Sequence, residues 1–344
     1  MLGSIAGRAS LIVVAVVIAE KALIAQVRRL ARSAKNAAVL TGIGDDCAVL
    51  RLLSRGKKNE RDTLVTTDFT LEGIHFRRDW HSPESIGHRC LARGLSDIAA
   101  MGGEPVAAFL SLALPRHLPQ TWVGRFARSF ISLAERYGVT LAGGDTAESP
   151  NGVLADVVVV GSAPKGTAVL RSGARPGDRI YVSGELGGSA AAVWQMRKKP
   201  KRKLNPREHL RHFFPEPRIE LGRILREKGL ASAMIDTSDG LSTDLAHICE
   251  ISGVGAELQA ESIPRARAGK PSREVDLQFA LHGGEDYELM FTAPRHKRVP
   301  SRIAGVAITQ IGHITSARGS RIFLMNRDGV GYELKPQGWE HFRQ

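Results

Sequence analysis

Five segments of the chain share one format, in which an apolar run is followed by glycine, serine or threonine and then by carboxylates. They are VLTGIGDD with Asp45 and Asp46, LVTTD with Asp68, VTLAGGD with Asp145, AMIDTSD with Asp236 and Asp239, and ALHGGED with Glu285 and Asp286. One Gly-Asp pair is ordinary turn chemistry, but five such segments predict a common purpose. We expect each segment to place a carboxylate at the exit of a buried strand, where small neighbours let a ligand reach the backbone.

The chemistry that suits several separate carboxylates is the binding of Mg²⁺ and phosphate. Mg²⁺ prefers hard oxygen ligands, usually one or two carboxylates together with water and phosphate oxygens. Without cations, clustered carboxylates would repel one another and destabilise the fold. The five segments therefore predict several bound Mg²⁺ ions.

Asp97 is a different case because it lies within a predicted helix, residues 84–101, on a face of small and apolar residues. A carboxylate on such a face is costly to bury unless it is paired. Two interpretations stay open. Asp97 reaches a metal ion, or it caps the helix or pairs with Arg89 or Arg93.

Several common catalytic motifs are absent from the sequence. It contains no GxxxxGK[ST] P-loop, no HRD or DFG motif of protein kinases and no GxSxG nucleophile motif. The glycine-rich turn GELGGS, residues 184–189, could contact phosphate at the start of a helix. A plain tight turn explains it equally well.

Composition bounds the remaining possibilities. The 344 residues carry a net charge of +13, and the basic run from Arg197 to Lys203 supplies six of the positive charges. We interpret this run as a solvated loop, with binding of polyanions as the alternative and no specific nucleic acid expected. Three cysteines without a CxxC motif predict neither disulfides nor zinc and favour the reducing cytoplasm.

The apolar segment 11–19 has nine residues, fewer than the roughly 20 that a membrane helix needs. We therefore expect no membrane association. The segment could instead be a buried strand, an over-extended start of the reading frame or the core of a signal peptide.

The elements that would position these residues alternate between helix and strand. Helical periodicity predicts helices over 22–34, 84–101, 121–138, 217–228 and 240–252, and apolar runs predict strands over 63–68, 107–115, 139–146 and 153–163. Residues 170–194 predict a turn, a strand, a glycine loop and a helix, which is how an α/β unit begins. The sequence thus predicts an N-terminal extension over 1–20 and two domains, 21–164 and 165–344.

Eight strings of the chain, in their order and spacing, resemble those of the thiamine-monophosphate kinases, a branch of the AIR-synthase-related or PurM-like superfamily. They are GIGDDCAVL (42–50), TTDFTLEGIHF (66–76), LSDIAAMGG (95–103), LAGGDT (141–146), LRSGARPGD (170–178), IDTSDGLSTDL (235–245), GGEDYEL (283–289) and GWEHF (338–342). The resemblance covers about residues 20–342. It implies a two-domain α/β (α+β) PurM-like fold. The N-terminal domain would form a β-barrel-type interface in a homodimer, and the C-terminal domain would be α/β.

The resemblance also implies a reaction, the Mg²⁺-dependent transfer of a phosphate from ATP to thiamine monophosphate. The positions that carry over as magnesium ligands, directly or through water, are Asp46, Thr66, Thr67, Asp68, Asp97, Asp145, Asp236 and Asp239. Those that would contact ATP are Gly144, Asp145, Arg171 and Ser238, and those that would bind thiamine monophosphate are His75, Glu285 and Trp339. We add Tyr137 as a predicted contact to adenine, with a half-buried tyrosine at a helix end as the alternative. No catalytic general base is expected, because the acceptor is a phosphate monoester whose second pKa is about 6.

Some features depart from the pattern or leave rivals open. Gly94 stands where relatives often have asparagine, and the basic segment 197–211 has no clear counterpart. Other ATP-dependent enzymes of the superfamily, such as AIR synthetase, are the first alternative. Relatives that use a reactive cysteine fit less well, because Cys47 follows the two aspartates and looks structural. A basic polyanion-binding protein without catalysis is the second alternative.

Overall fold

Two β-sheets with a shared helix between them make up most of the molecule. The computed structural model describes residues 20–30, 38–51, 60–199, 203–269, 272–316 and 320–340. The chain divides into two units, residues 1–35 with 340–344, and residues 36–339. The first unit contains helix α1, Glu20–Leu30. This helix confirms the described part of the one predicted over 22–34, whereas the apolar segment 11–19 and residues 31–34 lie outside the described residues.

The first sheet contains the strands β1–β6. They are β1 Val39–Thr41, β2 Ala48–Leu50, β3 Arg61–Leu71, β4 Glu104–Leu114, β5 Thr140–Glu148 and β6 Leu154–Pro164, in the order β1-β2-β3-β6-β4-β5. Among the described strands of this sheet, β4 and β5 pair in parallel and the other neighbours pair antiparallel. Helices α2, Pro83–Ala100, and α3, Gln120–Arg136, pack with one face of this sheet around a core that includes Phe126 and Phe130.

The opposite face of the first sheet stays open to solvent in the single chain. Along β5 every residue is exposed. Large apolar side chains on β3 and β4, namely Phe69, Val106 and Phe109, are also exposed. Exposed apolar patches of this kind mark surfaces that bind another protein.

The second sheet is built from the C-terminal half. Its strands are β7 Arg179–Ser183, β8 Ala233–Asp236, β9 Gly255–Gln259, β12 Leu289–Ala293, β13 Arg302–Ile303, β14 Val306–Thr315, β15 Ile322–Met325 and β16 Gly331–Glu333, and β10 Arg267–Ala268 with β11 Arg273–Glu274 form a separate hairpin. The helices are α4 Gly188–Lys198, α5 Leu210–Phe213, α6 Ile219–Glu227, α7 Leu241–Ser252 and α8 Leu277–His282. The path runs β16-β15-β9-β14-β7-β12-β8, with β13 beside β14. None of the helices described here is both long and apolar enough to cross a membrane.

Helix α2 is the element that both sheets share. Ser82 caps its start by accepting a hydrogen bond from the Ser85 amide, and Pro83 fits the first turn. The helix packs on β3 and β6 on one side and on β8 and α6 on the other. A β-carbon on Gly94 would lie 2.6 Å from Val159 Cγ2, so the small residue allows close packing on β6. Almost all of α2 is buried as a result.

The prediction that each carboxylate stands at the exit of a strand is wrong for three of the five segments. Asp68 lies inside β3 and Asp145 inside β5, because both strands run on past the predicted ends. Glu285 follows helix α8 instead of a strand. Asp236 is the last residue of β8, and Asp46 lies in the turn after β1, although β1 is mostly exposed and not buried as predicted.

The basic segment is more ordered than a single loop. Helix α4 continues to Lys198, and the described part after the gap contains a 3₁₀ turn, Pro206–Glu208, and α5. Arg197, Lys198, Lys199 and Lys203 are exposed, as the interpretation of a solvated run requires. Residues 200–202 lie outside the described part.

Candidate functional site

Three aspartates from distant parts of the chain converge between the two sheets. One carboxylate oxygen each from Asp46, Asp97 and Asp236 lies within 4.8 Å of the others. The residues come from the turn before β2, from α2 and from the end of β8. Because α2 packs on both sheets, it brings Asp97 to the place where the other two meet.

Burial and mutual repulsion make these carboxylates hard to ionise. Burial, followed by the charges of Asp68, Asp236 and Asp46, raises the pKa of Asp97 well above its ordinary value. Burial and then Asp46 raise the pKa of Asp236 to about 7. Hydroxyl groups offset a part of this cost, since Ser96 Oγ donates to Asp236 Oδ2 at 2.6 Å and Thr66 Oγ1 donates to Asp97. A cation would relieve the remaining repulsion, so the donor set fits a hard metal ion.

Strand β3 brings Asp68 beside this cluster and turns Thr67 away from it. Successive side chains of a strand point to opposite faces. Thr66 and Asp68 therefore share the face that meets α2, and Asp68 lies close enough to Asp97 to affect its titration. The Thr67 hydroxyl is on the exposed face, where it donates to Asp156 Oδ1 at 2.8 Å.

Arg171 and Ser238, two predicted ATP contacts, border the cluster directly. The Arg171 guanidinium donates from Nε to Asp46 Oδ2 at 3.1 Å and from Nη2 to Asp46 Oδ1 at 2.9 Å. Ser238 Oγ donates to Asp236 Oδ1 at 3.2 Å. Nearby, burial raises the pKa of the Cys47 thiol, with Asp97 as the next cause, so Cys47 stays protonated as a structural residue.

Gly144 and Asp145 are not brought to the cluster within the chain. Two strands, β6 and β4, separate β5 from β3 in the sheet, which corresponds to about 14 Å between β5 and β3. Asp145 is exposed, and its Oδ1 accepts a hydrogen bond from the Thr146 amide at 2.8 Å. A β-carbon on Gly144 would lie 1.8 Å from Leu110 O, so glycine is required for the close β4–β5 pairing.

Tyr137 ends helix α3, and its hydroxyl is already bonded. It donates to Glu216, and it also lies 2.9 Å from the Pro217 carbonyl oxygen. Burial, followed by Glu216, raises the pKa of the phenol above its ordinary value. These contacts favour the alternative interpretation, a half-buried tyrosine that closes a helix.

Glu285 lies on the other side of Asp68, among arginines. Arg89 Nη2 donates to Glu285 Oε1, and Arg93 Nη1 is 3.8 Å from the same oxygen. Burial opposes ionisation, but Arg89 and Arg93 hold the pKa of Glu285 below its ordinary value. Glu285 and Tyr287 have φ angles of 66° and 51°, a backbone conformation that non-glycine residues rarely adopt and that concentrates at ligand sites. Of the two interpretations of Asp97, pairing with either arginine finds no support, because their partners are Glu285 and Asp68.

His75 and Trp339, the other two predicted contacts of thiamine monophosphate, belong to segments far apart in sequence. His75 Nδ1 accepts a hydrogen bond from the Leu71 amide at 3.0 Å, and His75 lies close enough to Glu285 to influence it electrostatically. The Trp339 amide donates to Asp239 O at 3.0 Å, and the residue is 46% exposed. The C-terminal segment is thus anchored to the turn that carries Asp236 and Asp239.

The structure adds one carboxylate to the site that the sequence did not single out. Asp244, in the first turn of α7, is buried and accepts a hydrogen bond from the Gly240 amide at 3.0 Å. Burial, then Asp239, then Asp236, raise the pKa of Asp244 well above its ordinary value. Its signal was available, since Asp244 follows Asp239 by five residues within the string IDTSDGLSTDL.

Asp286 has a purely internal role, in contrast to Glu285 beside it. It accepts hydrogen bonds from the Gly187 amide at 2.6 Å and from the Ser189 amide at 3.2 Å, at the start of helix α4. These are amides of the glycine-rich turn 184–189, so a carboxylate of the chain already occupies that helix N-terminus. The interpretation of this turn as a plain tight turn is the one favoured.

Comparison with known proteins places this geometry in a family. Residues 44–163 match the sequence model described as AIR synthase related protein, N-terminal domain, and residues 175–325 match the corresponding C-terminal domain. Thiamine-monophosphate kinase of Salmonella typhimurium is 40% identical over 316 residues, which cover 88% of this chain and 92% of that protein. The chain belongs to the thiamine-monophosphate kinase family.

Solved structures of the family agree with the fold. A structure described as AaThiL complexed with AMPPCP and TMP superposes with a TM-score of 0.79 at 31% identity, covering 94% of this chain and 97% of that one. Thiamine-monophosphate kinase from Stenotrophomonas maltophilia K279a gives a TM-score of 0.68 at 34% identity, covering 87% and 95%. Membership of the thiamine-monophosphate kinase family confirms the predicted two-domain PurM-like α/β fold.

Proposed function

We propose that the protein transfers the γ-phosphate of ATP to thiamine monophosphate, giving thiamine diphosphate and ADP. The observation that carries the proposal is the convergence of Asp46, Asp97 and Asp236 beside Arg171, in a chain 40% identical to a thiamine-monophosphate kinase. A related structure described as a complex with AMPPCP and TMP adds support, because those ligands match the two substrates.

Magnesium is the metal that the donor set fits. Asp46, Asp97 and Asp236 would hold it at the centre, because their oxygens converge and repel one another without a cation. The further ligands that we propose beside this ion, directly or through water, are Thr66, Asp68 and Asp239. Thr67 and Asp145, which the single chain keeps apart from the cluster, would hold a separate Mg²⁺ ion. When bound, Mg²⁺ would neutralise the charge on the phosphate oxygens that meet in the reaction.

The chain's own groups act by positioning and by charge. Arg171 lies against Asp46 and can turn one edge of its guanidinium fork to the phosphates of the nucleotide. Gly144, Asp145 and Ser238 stay proposed ATP contacts. Tyr137, whose hydroxyl is bonded to Glu216, would contact adenine only with its ring. The acceptor phosphate is largely ionised at neutral pH, so the chain needs no general base. The obstacle is the approach of two anions, which fixed cationic groups offset.

The acceptor would bind on the side of Glu285, His75 and Trp339. The exposed ring of Trp339 offers an aromatic face to the cationic thiazolium, an interaction worth about 0.5–2 kcal/mol. The carboxylate of Glu285, held below its ordinary pKa by two arginines, would add an anionic contact to the same cation.

The protein would act as a homodimer in the cytoplasm. The open face of the first sheet, with exposed Phe69, Val106 and Phe109, is the surface we propose for the second copy. The exposed strand β5 carries Gly144 and Asp145 at the edge of the same sheet. The three cysteines are buried and unpaired, which suits a reducing compartment.

We propose a domain boundary near residue 164. Strand β6 ends the first sheet at Pro164, and the second sheet begins with β7 at Arg179. The two matched family domains, 44–163 and 175–325, fall on either side of this boundary. Residues 21–164 and 165–344 would form the two domains, with residues 1–20 as an extension.

The deciding experiment supplies ATP, Mg²⁺ and thiamine monophosphate and follows thiamine diphosphate by chromatography. We expect product from the wild type and none from D236N, whereas D79N, which changes an exposed carboxylate paired with Arg77, should behave as the wild type. Product from another phosphorylated acceptor but not from thiamine monophosphate would overturn the proposed substrate. RNA binding with steep salt dependence and no turnover would favour the polyanion-binding alternative.

A further inference from the structure

Arg93 is a charged side chain in the site whose hydrogen-bonding capacity is almost unused. A guanidinium carries five N–H donors. Within the described part of the chain, the side chain of Arg93 donates one hydrogen bond, from Nη2 to Asp68 Oδ1 at 3.3 Å, and its ion pair with Glu285 spans 3.8 Å. Among the described residues, Arg93 Nε is buried and has no hydrogen-bond partner. Leaving donors of a charged group unsatisfied in the interior is costly, so the site is incomplete without an acceptor there.

The surroundings of Arg93 leave it reachable by a ligand. Its side chain is 16% exposed, and those of Asp68 and Glu285 are 23% and 24% exposed. Arg89, Arg93 and Asp97 follow one another at intervals of four residues, so they lie along one face of α2. Arg89 differs from Arg93 because both of its terminal nitrogens already donate, one to the His212 carbonyl oxygen and one to Glu285.

Two arginines therefore border the acidic cluster through different aspartates. Arg171 contacts Asp46, and Arg93 contacts Asp68, which in turn lies beside Asp97. The reaction brings together two phosphates, one from each substrate. Since Arg93 pairs with both Asp68 and Glu285, its guanidinium borders the side of the cluster that we propose for the acceptor.

We propose that Arg93 binds the phosphate of the acceptor, a phosphate monoester dianion, and holds it next to Asp68. This inference rests on the proposed function and deepens it. Once Asp68 serves a metal ion, its weak bond to Arg93 is given up, and the planar fork of Arg93 can pair with two phosphate oxygens. Arg93 thereby becomes a specificity residue that separates phosphorylated from unphosphorylated thiamine.

Calorimetry with the full-length protein, Mg²⁺ and a non-hydrolysable ATP analogue tests this with two probes, thiamine monophosphate and thiamine. R93Q should raise the Kd for thiamine monophosphate about 10- to 100-fold, as the loss of charged hydrogen bonds implies. The Kd for thiamine should stay unchanged. R93K, which keeps the charge without the fork, should fall between wild type and R93Q, and R125Q on the outer face of α3 should match the wild type.

Other outcomes overturn the proposal. Unchanged affinity of R93Q for thiamine monophosphate removes the role, and equal losses for both probes show a merely structural effect. A loss confined to the ATP analogue assigns Arg93 to the other substrate. If R93Q does not fold, R93K decides, because it preserves the charge balance with Asp68 and Glu285. A wild type that makes no thiamine diphosphate would overturn the proposed function instead.

Discussion

Magnesium affinity should rise steeply with pH, because protons and metal compete for the same carboxylates. Asp236 has a pKa of about 7 in the metal-free protein, from burial and the charge of Asp46. It is then about one-tenth ionised at about pH 6 and nine-tenths ionised at about pH 8. The apparent affinity for Mg²⁺ should therefore increase about tenfold between these pH values, equivalent to about 1.4 kcal/mol. The raised pKa of Asp97 makes this a lower bound.

The stability of the metal-free protein should depend on pH in the opposite direction from the affinity for Mg²⁺, and should fall as pH rises. A carboxyl whose folded pKa exceeds its unfolded value of 3.8 stabilises the fold below that value and loses this contribution as pH rises through about 7. Magnesium at about 100 times its Kd returns about 2.7 kcal/mol. Thermal unfolding with and without Mg²⁺ at both pH values measures the two effects together.

D236N supplies the critical comparison. It should bind Mg²⁺ weakly, with a smaller dependence on pH, and should be more stable than the metal-free wild type at about pH 8, since it removes one of the repelling charges. D79N, at an exposed ion pair, should reproduce the wild type. Affinity that is the same at both pH values, or greater at the lower one, would refute the assignment of the buried cluster to the metal.

Two further predictions concern other parts of the fold. His81 Nε2 and His212 Nε2 lie 2.9 Å apart in the interior. Burial lowers the pKa of His81 to about 4. The stability that the neutral ring contributes above its unfolded pKa of 6.5 is therefore lost as pH falls toward 4. In H81Q the unfolding free energy should therefore fall less steeply over this pH range, by up to about 1.4 kcal/mol per pH unit. H117Q, which changes an exposed histidine, should behave as the wild type. Unfolding free energies from urea titrations that change equally with pH in H81Q and wild type would contradict this. In G338A the new β-carbon would lie 2.1 Å from the backbone oxygen of Asp239, in the turn that also carries Asp236. We therefore expect kcat/KM for thiamine monophosphate to fall at least about tenfold, at the usual cost of overpacking. G124A, whose β-carbon has room on α3, is the matched control, and an active G338A would show that the C-terminal anchor is dispensable.

The residue types of the site could be predicted from the sequence, but their convergence could not. Asp236 follows an apolar strand, and Asp97 lies on a buried helix face, so local patterns were enough to single them out. The hydrogen bond from Ser96 to Asp236 spans 140 residues of sequence and depends on how two sheets pack on one helix. No periodicity encodes that packing.

Adjacent carboxylates show the same limit. Glu285 and Asp286 follow one glycine pair, yet one meets two arginines of α2 and the other caps α4. Their different roles depend on partners about 100 residues or more away in sequence. Likewise, β5 continues to Glu148 and holds Asp145 within an exposed edge strand, whereas the sequence predicted this residue at the exit of a strand. The resemblance to a family identifies such residues as functional, but the folded structure is needed to show which of them lie close together.

The three aspartates also bear on how the enzyme is assembled. Asp46 and Asp97 come from elements of the first sheet's half, and Asp236 ends a strand of the second. Neither half alone holds all three aspartates, and their like charges oppose the approach of the two halves. The Mg²⁺ ion that we propose would join the two halves against this repulsion. Phosphoryl transfer would then require that the two halves are correctly packed against each other.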